Sequence, residues 1–142
     1  MNHKTNKKLN NKGFSLVELI IVIAIMAVLI GVLAPQYIRY VEKSRYQTDV
    51  TMIEEVKSAI DIALSEPDIY ATIPDTATTI TFTDTALATG SVGWAELSAE
   101  VEQTIDLADT ALTSQTCRAT GVTVTIVINP DGQTIVNVPA AP

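Results

Sequence analysis

The chain contains one long apolar stretch, which lies close to its amino terminus. Residues 19–34 carry no polar side chain, and with residues 14–18 they form a segment of 21 residues. As an α-helix this segment measures about 31 Å, enough to cross the hydrocarbon core of a bilayer. The residues before it hold four lysines and no acid, so the positive-inside rule predicts residues 1–12 in the cytoplasm and residue 35 onward outside. The lysines are Lys4, Lys7, Lys8 and Lys12.

The pattern remains helical after Pro35 but becomes amphipathic. Apolar side chains recur there at spacings of mostly three and four, which is typical of a helix with one buried face. They are Ile38, Val41, Tyr46, Val50, Ile53, Val56, Ile60 and Leu64. Charged residues such as Glu42, Lys43 and Asp49 fall on the other faces, and Glu66-Pro67 supplies a stop. We therefore expect one long helix over residues 14–64, with a hydrophobic first half and an amphipathic second half.

The remaining residues, 65–142, predict a small β-rich head. Residues 78–83 alternate with a period of two, residues 121–128 form the clearest strand, and residues 134–138 return after an Asn-Pro-Asp-Gly turn. A short helix is expected around residues 94–101. Because 78 residues are few for an independent core, the head should use the second half of the long helix as a wall. The predicted class is α+β, with an antiparallel sheet of three or four strands.

Charge separates the leader from the rest of the chain. The whole chain has 16 acidic and 9 basic residues and a net charge of −7, and without residues 1–13 the net charge is −11. Arg118 is the only Lys or Arg in residues 58–142. Nucleic-acid binders normally carry a basic patch, so the composition argues against nucleic acid as a partner.

The inventory of reactive side chains is small. The single histidine is His3, and the single cysteine is Cys117. Because His3 lies in the lysine-rich leader, the body of one chain can form neither a His/Cys metal site nor a Ser/His/Asp triad, and we expect no catalytic residues, no metal and no cofactor. An internal disulfide is equally impossible, so packing alone should hold the head, with Cys117 as a buried or half-exposed thiol.

A carboxylate stands one turn into the apolar segment. At the bilayer centre such a charge costs about 2.5 to 3.5 kcal/mol on insertion scales, and intramembrane acids are functional candidates. The residues around Glu18 read Lys-Gly-Phe-Ser-Leu-Val-Glu-Leu over positions 12–19, followed by aliphatics and Pro35. This string resembles the class III signal of type IV pilins and pseudopilins.

The resemblance implies a processed filament subunit with the pilin fold, in which the first half of the helix protrudes from the head. A prepilin peptidase would cut between Gly13 and Phe14 and methylate the new amino group of Phe14. Glu18 would then pair with the amine of an adjacent subunit and help to set the axial register. The implied organisation is a leader at 1–13, a transmembrane and filament-core helix at 14–35, an amphipathic half at 36–64 and a head at 65–142.

The resemblance also implies partners, a location and a weak point in the helix. The partners are other copies of the chain in a helical homopolymer, the peptidase, the membrane before assembly, and a membrane platform with its ATPase. The chain would wait in the cytoplasmic membrane with its head outside and end in an extracellular pilus that serves adhesion, motility or biofilm formation. Gly31 and Pro35 would mark a stretch that loses helical hydrogen bonds in the filament, or a simple proline kink.

Two other functions stay open at the level of the sequence. One is a pseudopilin of a type II secretion or competence machine, and the other is an uncleaved, membrane-anchored binding module. Many pilins close a carboxy-terminal loop with a disulfide, which Cys117 alone cannot form. An enzyme is not expected.

Overall fold

The computed structural model of the chain describes residues 13–83, 87–88 and 94–142, the pair 87–88 by its backbone only. Within these residues one long helix is followed by short helices and short strands, and the strands form an antiparallel sheet. This arrangement confirms the predicted α+β class. The elements are α1 (Leu16–Ala63), α2 (Pro67–Tyr70), β1 (Thr78–Phe82), β2 (Leu87–Ala88), α3 (Trp94–Val101), a 3₁₀ turn (Leu107–Asp109), β3 (Val124–Ile128) and β4 (Thr134–Asn137). The predicted leader, apart from Gly13, lies outside the described residues.

The chain divides into two compact units, one that ends at Ile38 and one that comprises Arg39–Pro142. In the first unit, every large apolar side chain from Phe14 to Leu33 is at least 51% exposed. Of the helices in the described residues, α1 is long and apolar enough to cross a membrane. The predicted apolar half of the long helix is thus present and makes no core of its own.

The second unit contains an antiparallel sheet with the strand order β2-β1-β3-β4. β1 pairs with β3 along its whole length, from Thr78 opposite Ile128 to Phe82 opposite Val124. β3 and β4 form the predicted hairpin, closed by a hydrogen bond from the Gly132 N–H to the Asn129 carbonyl at 2.9 Å. Gly132 has a φ of +79°, a conformation that side chains disfavour, so the sequence Asn-Pro-Asp-Gly suits this turn.

One face of α1 supplies a wall of the head's core, as the periodicity predicted. This face forms a single hydrophobic cluster with side chains of the sheet and of α3. Its fully buried members include Ile53, Val56 and Ile60 from α1, Ile80, Val124, Ile126 and Ile128 from the sheet, and Leu97 and Val101 from α3.

The buried face of α1 differs from the expected one in two respects. It begins at Tyr46, because Ile38 is 67% exposed and Val41 is only half-buried. It also contains Asp49, which the periodicity placed on a solvent face but which is only 1% exposed. Asp49 shares the buried face because it lies three residues after Tyr46 and four before Ile53.

Candidate functional site

The first turn of α1 brings together the predicted site residues at the amino terminus. Gly13 and Phe14 precede the helix and are exposed, Phe14 by 93%. The N–H of Ser15 donates a hydrogen bond to Oε2 of Glu18 at 2.8 Å. The first N–H groups of a helix lack intrahelical partners, and a glutamate three residues into the helix commonly reaches back to supply one. Glu18 therefore caps its own helix in the isolated chain.

The pattern Ser-x-x-Glu directly before an apolar run is typical of such a cap, whereas the resemblance implies a pairing of Glu18 between subunits. The Glu18 carboxylate stands at the end of α1 where the helix dipole is positive. It can accept a hydrogen bond from a backbone N–H of its own chain or from a nearby ammonium group, since both groups donate through N–H. The arrangement keeps a charged acceptor within one turn of Phe14.

The large apolar side chains that follow are exposed in the part of the chain that the structure describes. A helix that is hydrophobic on all sides must be covered by lipid or by other helices. From Leu16 to Leu33 the large aliphatic side chains are 51–72% exposed. The segment is therefore built for a bilayer or for a bundle of like helices.

Gly31 and Pro35 lie within α1, which continues through both residues as α-helix. Proline has no N–H, so the Gly31 carbonyl cannot receive the usual hydrogen bond from residue 35. A Cβ at Gly31 would meet nothing within 4 Å. The missing hydrogen bond and the glycine thus fall on the same turn of the helix.

A second group of polar contacts fastens the head to α1. Both backbone N–H and hydroxyl of Thr113 donate to Oδ1 of Asp49, at 2.9 and 2.8 Å, and the Ser114 N–H donates to Oδ2 at 2.8 Å. Two turns earlier on α1, Oε1 of Glu42 accepts hydrogen bonds from the Thr116 N–H at 2.9 Å and from its hydroxyl at 3.2 Å. We call these five residues the loop clamp.

The loop clamp keeps a buried carboxylate charged. Burial by itself raises the pKa of Asp49, but the hydrogen bonds from Ser114 and Thr113 outweigh it and hold that pKa below its ordinary value. Burial also raises the pKa of the Cys117 thiol, helped by the nearby negative charges of Asp49 and Glu42. Cys117 is 2% exposed, as expected for a buried thiol.

Two further contacts join α1 to the carboxy-terminal part of the head. The Thr134 hydroxyl donates to Oδ1 of Asp61 at 2.5 Å, while Nζ of Lys57 contacts Oδ2 of the same carboxylate at 2.6 Å. The Tyr46 hydroxyl donates to the Pro139 carbonyl at 2.7 Å. The expectation of a head held by packing alone is thus wrong, because hydrogen bonds to side chains of α1 share that task.

The described residues offer no metal centre. Among residues 13–83, 87–88 and 94–142, no cluster of three or more His, Cys, Asp or Glu side chains could hold an ion. The carboxylates of the loop clamp accept hydrogen bonds from the protein, three at Asp49 and two at Oε1 of Glu42, which suits a structural role.

Comparison with known proteins covers both parts of the chain. Residues 8–34 match the family model of the prokaryotic N-terminal methylation motif. A fimbrial protein of Pseudomonas aeruginosa is 32% identical over 126 residues, which cover 85% of this chain and 81% of the relative. Fimbrial protein Q of Moraxella bovis is 44% identical over 55 residues, covering 39% and 35% of the two chains. The type IV major fimbrial protein of Dichelobacter nodosus is 36% identical over 53 residues, covering 37% and 34%. No solved structure matches the chain.

The chain carries a methylation motif at the start of a long helix, and this helix is joined to a small α+β head. These features define the class of fimbrial subunits whose amino-terminal helix is apolar enough to cross a membrane. The similarity to the Pseudomonas protein extends far beyond the motif and includes most of the head. The chain belongs to the type IV pilin family.

Proposed function

We propose that the chain is the structural subunit of a type IV pilus, made as a membrane-stored prepilin and not as an enzyme. In this proposal residues 1–13 are a leader, residues 14–35 span the cytoplasmic membrane and later form the filament core, and the head stays outside. The observation that carries it is the apolar half of α1 directly behind the Gly13-Phe14 junction, in which every large apolar side chain is more than half exposed. The names of the relatives favour a pilus over a pseudopilus.

Processing at Gly13 creates the group that Glu18 needs. Cleavage by a prepilin peptidase would place a new amino group on Phe14, at the positive end of α1. In a low-dielectric filament core an unpaired charge is costly, so the amine and the Glu18 carboxylate of adjacent subunits should pair. The self-cap between Ser15 and Glu18 supports this, because it holds the carboxylate at the right end of the helix before assembly.

A substitution at Glu18 tests this pairing. Glu18→Val should leave membrane insertion intact, since it makes the helix more apolar, yet abolish sheared filaments. Glu18→Gln is the matched variant that keeps the shape of the side chain and an acceptor for the Ser15 N–H. It removes only the charge, so it cannot neutralise an amine. We expect it to lower filament yield as well. Normal filaments from both variants would refute the pairing.

The amino terminus of the membrane-stored chain tests processing directly. Mass spectrometry should find a chain that begins with N-methylated Phe14. An unmodified chain that retains residues 1–13 would identify an uncleaved, membrane-anchored binding module instead. Shearing of cells then separates the remaining alternative, because long filaments built of this chain indicate a pilus and their absence indicates a short pseudopilus.

In this proposal a membrane platform and its ATPase assemble the filament. Once assembled, filaments would serve adhesion, surface motility or biofilm formation, and loss of surface attachment in a deletion strain is the measurement. The turn at Gly31 and Pro35 would lose further helical hydrogen bonds and allow extension under load. Filaments of Pro35→Ala, which regain a donor for the Gly31 carbonyl, should extend less in a force measurement.

A further inference from the structure

A groove with an apolar floor and an acidic rim runs along α1 in the head. Its volume is about 460 Å³, and its walls are one face of α1 together with Thr104 and Ile105. Ala59, Ile62 and Ile105 supply the apolar surface, and Glu54 and Glu55 stand at the rim. Ile62 is 61% exposed, more than any other large aliphatic side chain in the described part of residues 39–142. Together with Ala59 and Ile105 it gives the groove a contiguous apolar surface bordered by carboxylates, which suits a contact with another molecule.

A patch of opposite character lies nearer the start of the same helix. Lys43 follows Arg39 by four residues and Tyr40 by three, so its side chain neighbours both of them on the surface of α1. All three are exposed, Tyr40 by 75%. Only 5 basic side chains remain after residue 13, and this basic patch holds two of them.

The basic patch cannot reach the groove of its own chain. Both lie on one continuous α-helix, Leu16–Ala63, and their midpoints are separated by about 15 residues. At 1.5 Å per residue this is roughly 23 Å along the axis, several times the reach of a side chain. Any contact between the two surfaces must therefore join different molecules.

We propose that the basic patch of one subunit docks in the acidic groove of a neighbouring subunit. Arg39 and Lys43 would meet Glu54 and Glu55, while the ring of Tyr40 would cover the apolar floor. Tyrosine and arginine are favoured at interface centres because they combine apolar area with a polar end. The inference rests on the proposed function, since it requires that the chain polymerises.

The position of the two surfaces suits a filament. Subunits that are stored in one membrane with their heads outside share one orientation, so the patch of each chain can meet only the groove of the next, and the contact is heterologous with one free patch and one free groove at the ends of an open assembly. Heterologous contacts generate open helical assemblies when the rotation between subunits does not close into a ring, whereas a reciprocal pairing of two chains closes into a dimer. The head would thereby add a directional contact to the packing of the apolar helices.

A charge swap in the full-length chain tests the proposal in cells that lack any other copy. The patch reversal is Arg39→Glu with Lys43→Glu, and the groove reversal is Glu54→Lys with Glu55→Lys. Each replaces attraction by repulsion at every subunit contact and should lower sheared filament yield about tenfold or more. The four substitutions together restore opposite charges and should return the yield to near wild type.

Controls separate this contact from general effects of charge. Glu66→Lys with Asp68→Lys makes the same charge change as the groove reversal at exposed positions outside the groove, and it should leave filaments intact. Immunoblots of membranes should show equal amounts of processed subunit in every variant. If a reversal variant fails to accumulate, the neutral pair Arg39→Gln with Lys43→Gln replaces it, with a smaller loss expected.

The outcomes distinguish the two levels of the argument. No filaments from the wild-type chain would refute the proposed function. Wild-type filaments that are insensitive to both reversals would overturn only the docking contact. A loss caused by the patch reversal that the groove reversal does not rescue would also overturn it, and would assign the patch to anionic lipid headgroups.

A covalent trap gives a second and independent readout. Tyr40→Cys and Ile62→Cys are introduced together in a Cys117→Ala background, and intact filaments are oxidised. Docking of patch into groove predicts a ladder of dimers, trimers and longer oligomers, because each chain contributes both halves of a heterologous contact. Chains with either new cysteine alone should give no ladder, and its absence in the double variant would contradict the proposal.

Discussion

Asp49 is the residue whose position in the fold departs most from its appearance in the sequence. Burying a charge is unfavourable unless hydrogen bonds replace the lost water. Thr113 and Ser114 supply that replacement, since both carboxylate oxygens accept a backbone N–H. Asp49 can therefore remain ionised inside the head and order a loop that is 64 residues away in the chain.

Removal of this charge should destabilise the head. In Asp49→Asn the amide group cannot satisfy both backbone N–H groups, because one of its two polar atoms is itself a donor. We expect a loss of roughly 2 to 3 kcal/mol in the free energy of unfolding. Urea titration of the full chain in detergent measures it through Trp94, which is 7% exposed. Asp75→Asn, at an exposed position, should change the same quantity by less than about 0.5 kcal/mol.

Acid should act on the same group. The pKa of Asp49 is lower in the folded chain than in the unfolded one, so its contribution to stability is complete above the unfolded pKa and is lost as the pH falls through the folded value. The difference in unfolding free energy between wild type and Asp49→Asn should therefore be constant near neutral pH and shrink below about pH 4. A difference that grows on acidification would contradict this sign.

At the scale of single residues, the sequence predicts a contact only where the two partners lie close together along the chain. Gly13, Phe14 and Glu18 belong to one short motif, and their predicted roles as cleavage, methylation and assembly residues stay predictions. The cap between Ser15 and Glu18 is likewise local. The partners of Asp49 become visible only in the folded chain, because no periodicity connects a helix with a loop so far along the sequence.

At the scale of elements, long and regular patterns were predicted well. The helix expected over residues 14–64 is observed as Leu16–Ala63, and the helix expected at 94–101 is observed as Trp94–Val101. The hairpin strands are present but shorter, at Val124–Ile128 and Thr134–Asn137. The elements that sequence reasoning missed have two to four residues, too few to show a period.

The two faces of α1 in the head should differ sharply in their response to truncation. Ile60 is fully buried and Ile62 is 61% exposed, although they are two residues apart. Ile60→Ala should lower the free energy of unfolding by about 3 kcal/mol, since it leaves a cavity in the core. Ile62→Ala should change it by less than about 0.5 kcal/mol. Similar losses in both variants, measured by the same urea titration, would contradict the observed orientation of the helix.

At the scale of the whole molecule, the average composition conceals unlike segments. The mean hydropathy is +0.28 although the sequence pI is about 4.5, because an apolar half-helix is joined to an acidic head. Residues 1–13, which precede the apolar segment, hold four lysines and no acidic residue. Their removal would leave a strongly acidic subunit.

Processing should therefore be visible as a change in charge. The precursor has a net charge of −7, and the chain from Phe14 onward has 5 basic and 16 acidic side chains. Isoelectric focusing of membrane fractions should show the processed subunit at a lower pH than the precursor. Gly13→Val, which places a branched side chain at the cleavage site, should accumulate the less acidic form. A single unshifted species in both strains would argue against cleavage.

The loop clamp also determines which surroundings the head tolerates. A disulfide forms and breaks with the ambient redox potential, whereas the hydrogen bonds of Glu42 and Asp49 do not respond to it. The head can therefore mature without a thiol oxidase, and external reductants should leave it folded. Acid, and not a reductant, should open the head, since protonation of Asp49 removes the charge on which the loop clamp depends. A filament built of such heads would be indifferent to oxygen but sensitive to strong acid.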